Sequence, residues 1–279
     1  MPRRILSLLL LCCLLFLSSC LQLPKDPETT ADPTHKSYYE TATYVYKTNV
    51  EEVLPSIMTG LSSAYLTLVN KTHTVDKNSN PAQLTTLPTA RTNGGKTVQV
   101  EARAATALLA MMDEMAAEGI YPKVTSGHRD YAYQEYLFNH YLSVERATIT
   151  SDARAFLGAD YIQQNYTSRG LKALNEEDAR RVVLSYSAYP GTSEHQTGLA
   201  VDFVAADGAP LDLSFESSAA FRWLSVNAYK FGFVLRFPAD KTAVTGYSYE
   251  PWHYRFVGRE AATDIYMGGL TLEEYLGQD

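Results

Sequence analysis

The chain has 279 residues, of which 46% are hydrophobic and 20% charged, the composition of a globular protein with material for a sizeable core. That balance excludes a disordered polymer and a membrane channel. With 24 basic against 31 acidic residues and a formal charge of −7, it offers no basic face for nucleic acid.

Arg3 and Arg4 open the chain and precede an apolar run over residues 5–17. The run is shorter than the ~20 residues of a membrane span and ends in small residues, so residues 1–19 are expected to be an export signal. The segment Leu17-Ser18-Ser19-Cys20 also resembles the lipobox of bacterial lipoproteins, which implies lipidation of Cys20 and attachment to the outer face of the cell membrane. The alternative is a plain secretory signal cut near the same place. Cys12 and Cys13 lie inside the apolar run and would leave with it, so Cys20 would be the one cysteine of the mature chain. A disulfide framework, a thiolate metal site and a cysteine nucleophile are then excluded, and any metal must be held by His, Asp or Glu. The mature chain would carry 22 basic against 31 acidic residues, so attachment to a membrane would come from the lipid rather than from charge.

Residues 20–37 are rich in Pro, Thr, Asp and Lys and are expected to be a tether, followed by a folded domain over 38–279. A second loop-like stretch covers 73–98. Residues 101–118 form the clearest helix: Ala105, Leu108, Leu109, Met112 and Met115 make one apolar stripe, and Gly119 stands at the stop. A short strand over 123–126 and a helix over 130–144, capped by Asp130, come next. Residues 145–188 read as a helical and loop insertion. A buried strand over 199–204, a helix over 217–229 ending near Gly232, a strand over 233–237, another over 249–257 and a C-terminal helical segment complete the chain. Helices and strands alternate irregularly with no glycine-rich phosphate loop, so the expected class is α+β, a mixed or antiparallel sheet flanked by helices.

Six histidines are available, and three have settings that suggest chemistry: His128, His195 and His253. Asp202 sits inside an apolar strand between Val201 and Phe203, where a lone carboxylate costs several kcal/mol unless a cation or several donors accompany it. His195 lies seven residues earlier, so a straight strand would point the two to opposite faces. Gly198 between them permits a turn that brings both to one point. Taken alone, the pair reads equally as an Asp bonded to backbone amides and an unrelated loop His. The second segment, Glu250-Pro251-Trp252-His253, is biased away from helix by its proline, and a carboxylate and an imidazole can still converge from a bent strand. By itself it is also compatible with an edge-strand His beside a surface Glu. Together the segments supply two imidazoles, one carboxylate ligand and one further acid, the set that a catalytic zinc with an open position and a nearby base requires.

Here a family resemblance becomes specific. SEHQTGLAVDF fits the pattern S-x-H-x-x-G-x-A-x-D, EPWH fits E-x-x-H, and the upstream SGHRDYAYQ looks like S-G-Y-R-S-x-x-x-Q. All three, in this order, resemble the VanY-type D-alanyl-D-alanine carboxypeptidases, zinc peptidases related to L,D-carboxypeptidases. The likeness runs from about Val69 to the end. It implies one Zn2+ per chain on His195, Asp202 and His253, with Glu250 as the base. It implies that Arg129 polarises the scissile carbonyl or holds the terminal carboxylate. Gln134, Ser126 and Ser193 are candidates for lining the substrate pocket. The implied partners are peptidoglycan stem peptides, with no nucleic acid. His128 departs from the family's tyrosine, and a second-shell or substrate-facing role is expected for it rather than a fourth zinc ligand. Asp130 replaces a common serine.

Three functions compete on these residues. The first removes the C-terminal D-alanine from wall peptides, either from D-Ala-D-Ala ends or, as an L,D-carboxypeptidase, from tetrapeptide stems. The second is a non-catalytic zinc module that binds the wall, which would be expected to lack Glu250 or Arg129. The third is a two-His-one-carboxylate iron oxygenase, disfavoured because its His and Asp typically stand two apart.

Overall fold

The computed structural model describes residues 45–278 apart from 59, 60 and 62. The leader, Cys20, the tether and the expected domain start at 38 lie outside them. In chain order the elements are helix α1 (Leu54–Met58), strands β1 (Leu84–Thr86) and β2 (Gln99–Glu101), helix α2 (Ala102–Ala117) and strand β3 (Lys123–Ser126). Helices α3 (Tyr131–Ala147), α4 (Ser151–Leu157), α5 (Ala159–Asn165) and α6 (Glu176–Tyr186) follow, then β4 (Ala200–Val204), α7 (Ala219–Asn227) and β5 (Phe233–Leu235). Helix α8 (Thr242–Thr245), β6 (His253–Phe256), α9 (Arg259–Gly268) and α10 (Leu272–Leu276) close the chain. Among the described residues no helix is long and apolar enough to cross a membrane.

The α+β class holds, and the sheet is antiparallel. Four strands run in the order β3-β4-β6-β5, and β1 and β2 make a separate pair. The loop expected over 73–98 therefore contains a strand: Leu84–Thr86 is only three residues long and carries no alternation for a period to show, and it is stabilised by pairing with 99–101. Glu101, expected as the first helical residue, instead ends β2 and caps α2, its carboxylate accepting from the Arg103 and Ala104 amides at 2.9 and 3.0 Å. Asp130 caps α3 as expected, accepting from the Tyr133 amide at 2.7 Å. The strand expected over 249–257 begins only at His253. The His253 amide donates to the Glu250 carbonyl at 3.1 Å, closing a turn around Pro251, which has no N–H for a ladder.

Alternation along β4 separates two environments. Val201 and Phe203 join Tyr254, Phe256 and the α2 side chains Leu108, Met111 and Met115 in the main core. Asp202 points to the opposite face. The β4–β6 register sets Asp202 directly across from His253, and the β3–β4 register sets it beside Ser126. Helices α4 to α6, which fall in the stretch 145–188 read as an insertion, join α3 in a core of their own around Phe138, Leu142, Ile162, Val182 and Val183.

Candidate active site

Three of the expected residues converge. After Ser193 the chain makes a single 3-10 turn, Glu194–Thr197, and reverses at Gly198, whose φ of +69° lies in the left-handed region. A Cβ there would stand 3.0 Å from Pro81 and 3.1 Å from the Glu101 amide, so the position suits glycine on both counts. The reversal carries His195 back over β4: its Nε2 is 3.2 Å from Asp202 Oδ2, while His253 Nδ1 is 2.9 Å from Asp202 Oδ1. One ligand atom from each of His195, Asp202 and His253 lies within 4.8 Å of the others, and all three residues are buried.

The electrostatics of the trio fit a cation. Burial opposes the charge of Asp202, but the two imidazoles outweigh it and hold its carboxyl well below the usual range. Burial, assisted by Arg129, pushes the His195 pKa down to about 4, so that ring is neutral and offers a lone pair. Burial opposes the charge of His253, but the neighbouring carboxylates of Asp202 and Glu194 outweigh it and hold its pKa up at about 9, so its surroundings favour positive charge. An anionic oxygen and two imidazole nitrogens, desolvated and convergent, form a donor set suited to a divalent transition metal such as zinc. His195 Nδ1 meets the Gly127 carbonyl at 2.7 Å, the outer-sphere contact that orients a ligand ring.

Glu250 stands at the edge of this trio, its Oε2 3.7 Å from His253 Nδ1. Burial, reinforced by Asp202 and Glu194, pushes its pKa up to about 7, against the pull of His253 and Arg129. A carboxyl so poised can take and return a proton near neutral pH. The trio and Glu250 line a cleft of about 560 Å³ together with Arg129, Gln134, Ser193, Tyr247 and Trp252. Arg129 Nε is buried with no hydrogen-bond partner among the described residues, so it has a donor to spare. Gln134 donates from Nε2 to the Ala188 carbonyl at 2.7 Å and has a spare buried acceptor in Oε1.

Ser126 flanks Asp202 in the ladder but is not one of the cleft-lining residues, and His128 is not one of the three convergent ligands. The motif reading passed over Glu194, Arg236, Arg255 and Glu273, a buried ionic group beneath His253. Glu194 Oε1 accepts from Arg236 Nε and Arg255 Nη1, both at 2.7 Å, and Arg236 also pairs with Glu273 at 2.6 and 2.8 Å. The signal was present: Arg236 and Arg255 each stand among apolar residues, in VLRFP and HYRFV, where an unpaired guanidinium would be costly.

The family profile described as "VanY: D-alanyl-D-alanine carboxypeptidase" matches residues 97–259. A D-alanyl-D-alanine carboxypeptidase of Enterococcus faecalis is 39% identical over 214 residues, 77% of this chain and 66% of that protein, so the match stops just short of two thirds of the relative's length. Among solved structures, the LdcB LD-carboxypeptidase superposes with a TM-score of 0.60 at 33% identity, covering 76% of this chain and 85% of the other. The vancomycin-resistance D,D-pentapeptidase VanY in complex with Zn(II) superposes with a TM-score of 0.57 at 34% identity, covering 76% and 99%.

Proposed function

Because the chain belongs to the VanY family of D-alanyl-D-alanine carboxypeptidases, we propose that it is a zinc-dependent peptidase that removes the C-terminal D-alanine from peptidoglycan stem peptides. The observation that carries this reading is the convergence of His195, Asp202 and His253 on the floor of a cleft that also holds Glu250 and Arg129. The relative solved with Zn(II) supports zinc as the ion, which His195, Asp202 and His253 would hold. The ion supplies Lewis acidity, making water a nucleophile near neutral pH and polarising a carbonyl.

The remaining work falls to the chain. Glu250 accepts the proton of the attacking water on a carboxylate oxygen and passes it to the nitrogen of the departing D-alanine. Arg129 donates to the terminal carboxylate or to the carbonyl oxygen as it gains charge, tasks that suit a planar guanidinium with a spare N–H. Gln134 Oε1 accepts from a substrate amide, and Ser193 also lines the cleft. The presence of both Glu250 and Arg129 in the cleft argues against a purely binding role.

The likeness to an LD-carboxypeptidase favours a second reading, release of D-alanine from tetrapeptide stems. Mass spectrometry of purified pentapeptide and tetrapeptide muropeptides, incubated with zinc-loaded protein and with chelator, decides between them. The expected result is loss of one alanine from the pentapeptide, stopped by chelator. Loss confined to the tetrapeptide selects the second reading, and no loss from either overturns both. The leader supports export and lipid attachment at Cys20, which metabolic labelling with a radioactive fatty acid tests: the label should appear in the wild-type protein and vanish in Cys20→Ala.

A further inference from the structure

We infer that Glu194 is a positioning residue for the metal centre: its carboxylate holds the His253 ring with Nε2–H toward Glu194 and the Nδ1 lone pair toward Asp202. This deepens the zinc-peptidase reading and rests on it.

Two buried atoms without a hydrogen-bond partner among the described residues face each other under the site. They are Glu194 Oε2 and His253 Nε2, 3.5 Å apart. The other oxygen of Glu194 is fully engaged by Arg236 and Arg255, which both pin the carboxylate and keep it ionised, so Oε2 can only accept. A neutral imidazole has one N–H, and beside an acceptor-only oxygen that proton belongs on Nε2. Nδ1 is then left with its lone pair 2.9 Å from Asp202 Oδ1, at the point where the three ligand atoms meet.

His195 is set the opposite way. Its Nδ1 faces the Gly127 carbonyl, another pure acceptor, so Nε2 turns toward Asp202. The two imidazoles therefore take opposite tautomers, one chosen by a backbone carbonyl and the other by an ionised side chain. The aim of Glu194 is itself overdetermined. Arg236 is tied to Glu273 of α10, and Arg255 donates to the carbonyls of Tyr65 and Thr67 at 3.0 and 2.9 Å. A carboxylate behind a ligating imidazole also strengthens it as a donor, and losing such a partner typically weakens metal binding about 10–100-fold.

The test is zinc affinity by chelator competition on the full chain. Glu194→Gln should weaken zinc at least tenfold. Glu273→Gln, which disturbs the same Arg236 but does not touch His253, should bind within about threefold of wild type. Equal affinity of Glu194→Gln and wild type, or equal losses in the two variants, overturns the inference. Should Glu194→Gln not fold, nitrogen-15 NMR of the zinc-loaded wild type decides. A proton on His253 Nε2 supports the inference, and a proton on Nδ1 overturns it. A wild-type chain that binds no zinc defeats the metallopeptidase reading as well, a result distinct from either of these.

Discussion

The floor of the cleft and the helical unit α3–α6 each bury a carboxylate, and the two are satisfied in different ways. Asp178 in α6 receives the hydroxyls of Tyr161 and Tyr166, the Asn175 amide group and the Arg181 guanidinium. Those are donors with protons of their own, and the cluster is complete. Asp202 meets two imidazoles, groups that carry one proton each when neutral and otherwise present lone pairs. A structural carboxylate is surrounded by N–H and O–H, whereas this one is surrounded by other ligands. Burial alone does not separate the two sites; the chemistry of the neighbours does.

The largest expected effect falls on the proton carrier. Glu250→Ala should lower turnover of stem peptide by about 10³-fold, within the range for general acid–base groups, while one zinc per chain is retained by elemental analysis. Asp202→Ala should break the ligand set itself. Calorimetric melting should show the wild type gaining about 4 kcal/mol of stability at a zinc concentration ~1,000 times Kd, and the variant gaining nothing. A zinc-induced rise in the melting temperature of Asp202→Ala would remove the distinction drawn between the two carboxylates. Gly198→Ala puts a side chain at a left-handed position against the Glu101 amide, so it should cost about 1–2 kcal/mol in denaturant unfolding and weaken zinc by displacing His195.

The smallest effect tests the other half of the comparison. Asp178→Asn should lose about 1 kcal/mol and leave turnover unchanged, because its neighbours hold a fold rather than an ion. Its pH dependence has a definite sign. Burial opposes the Asp178 charge, but the hydrogen bonds from Tyr166, Tyr161 and Arg181 outweigh it and lower the folded-state pKa. The stability it contributes is therefore present above the ordinary aspartate pKa and is lost as pH falls through the lowered value. Acid titration of the melting temperature should be flatter in the variant than in the wild type below about pH 4.

Much of the site was legible before any coordinates. An Asp between Val201 and Phe203 signals a partnered charge, Gly198 signals a reversal, and Glu250 and His253 around Pro251 signal a bent approach. The helices expected over 101–118, from an apolar stripe, and over 130–144, from the Asp130 cap, are observed over 102–117 and 131–147. What escaped was whatever depended on pairing. Leu84–Thr86 is too short to show a period and exists as a strand through its partner at 99–101. Ser126 stands opposite Asp202 in the ladder, a place set by the β3–β4 pairing and not by any spacing along the chain.

Residue types and local spacing, both written in the chain, determined that two imidazoles, an acid and a second acid were available in segments able to bend. Which nitrogen of each ring faces Asp202, and that Glu194 stands behind His253, was decided by the tertiary structure. The His253–Asp202 and Glu194–Arg255 contacts join residues 51 and 61 positions apart, across a β4–β6 register and through an arginine of β6. A one-residue slip in that register would turn His253 to the other face of the sheet, and no local pattern in the sequence records which register is taken.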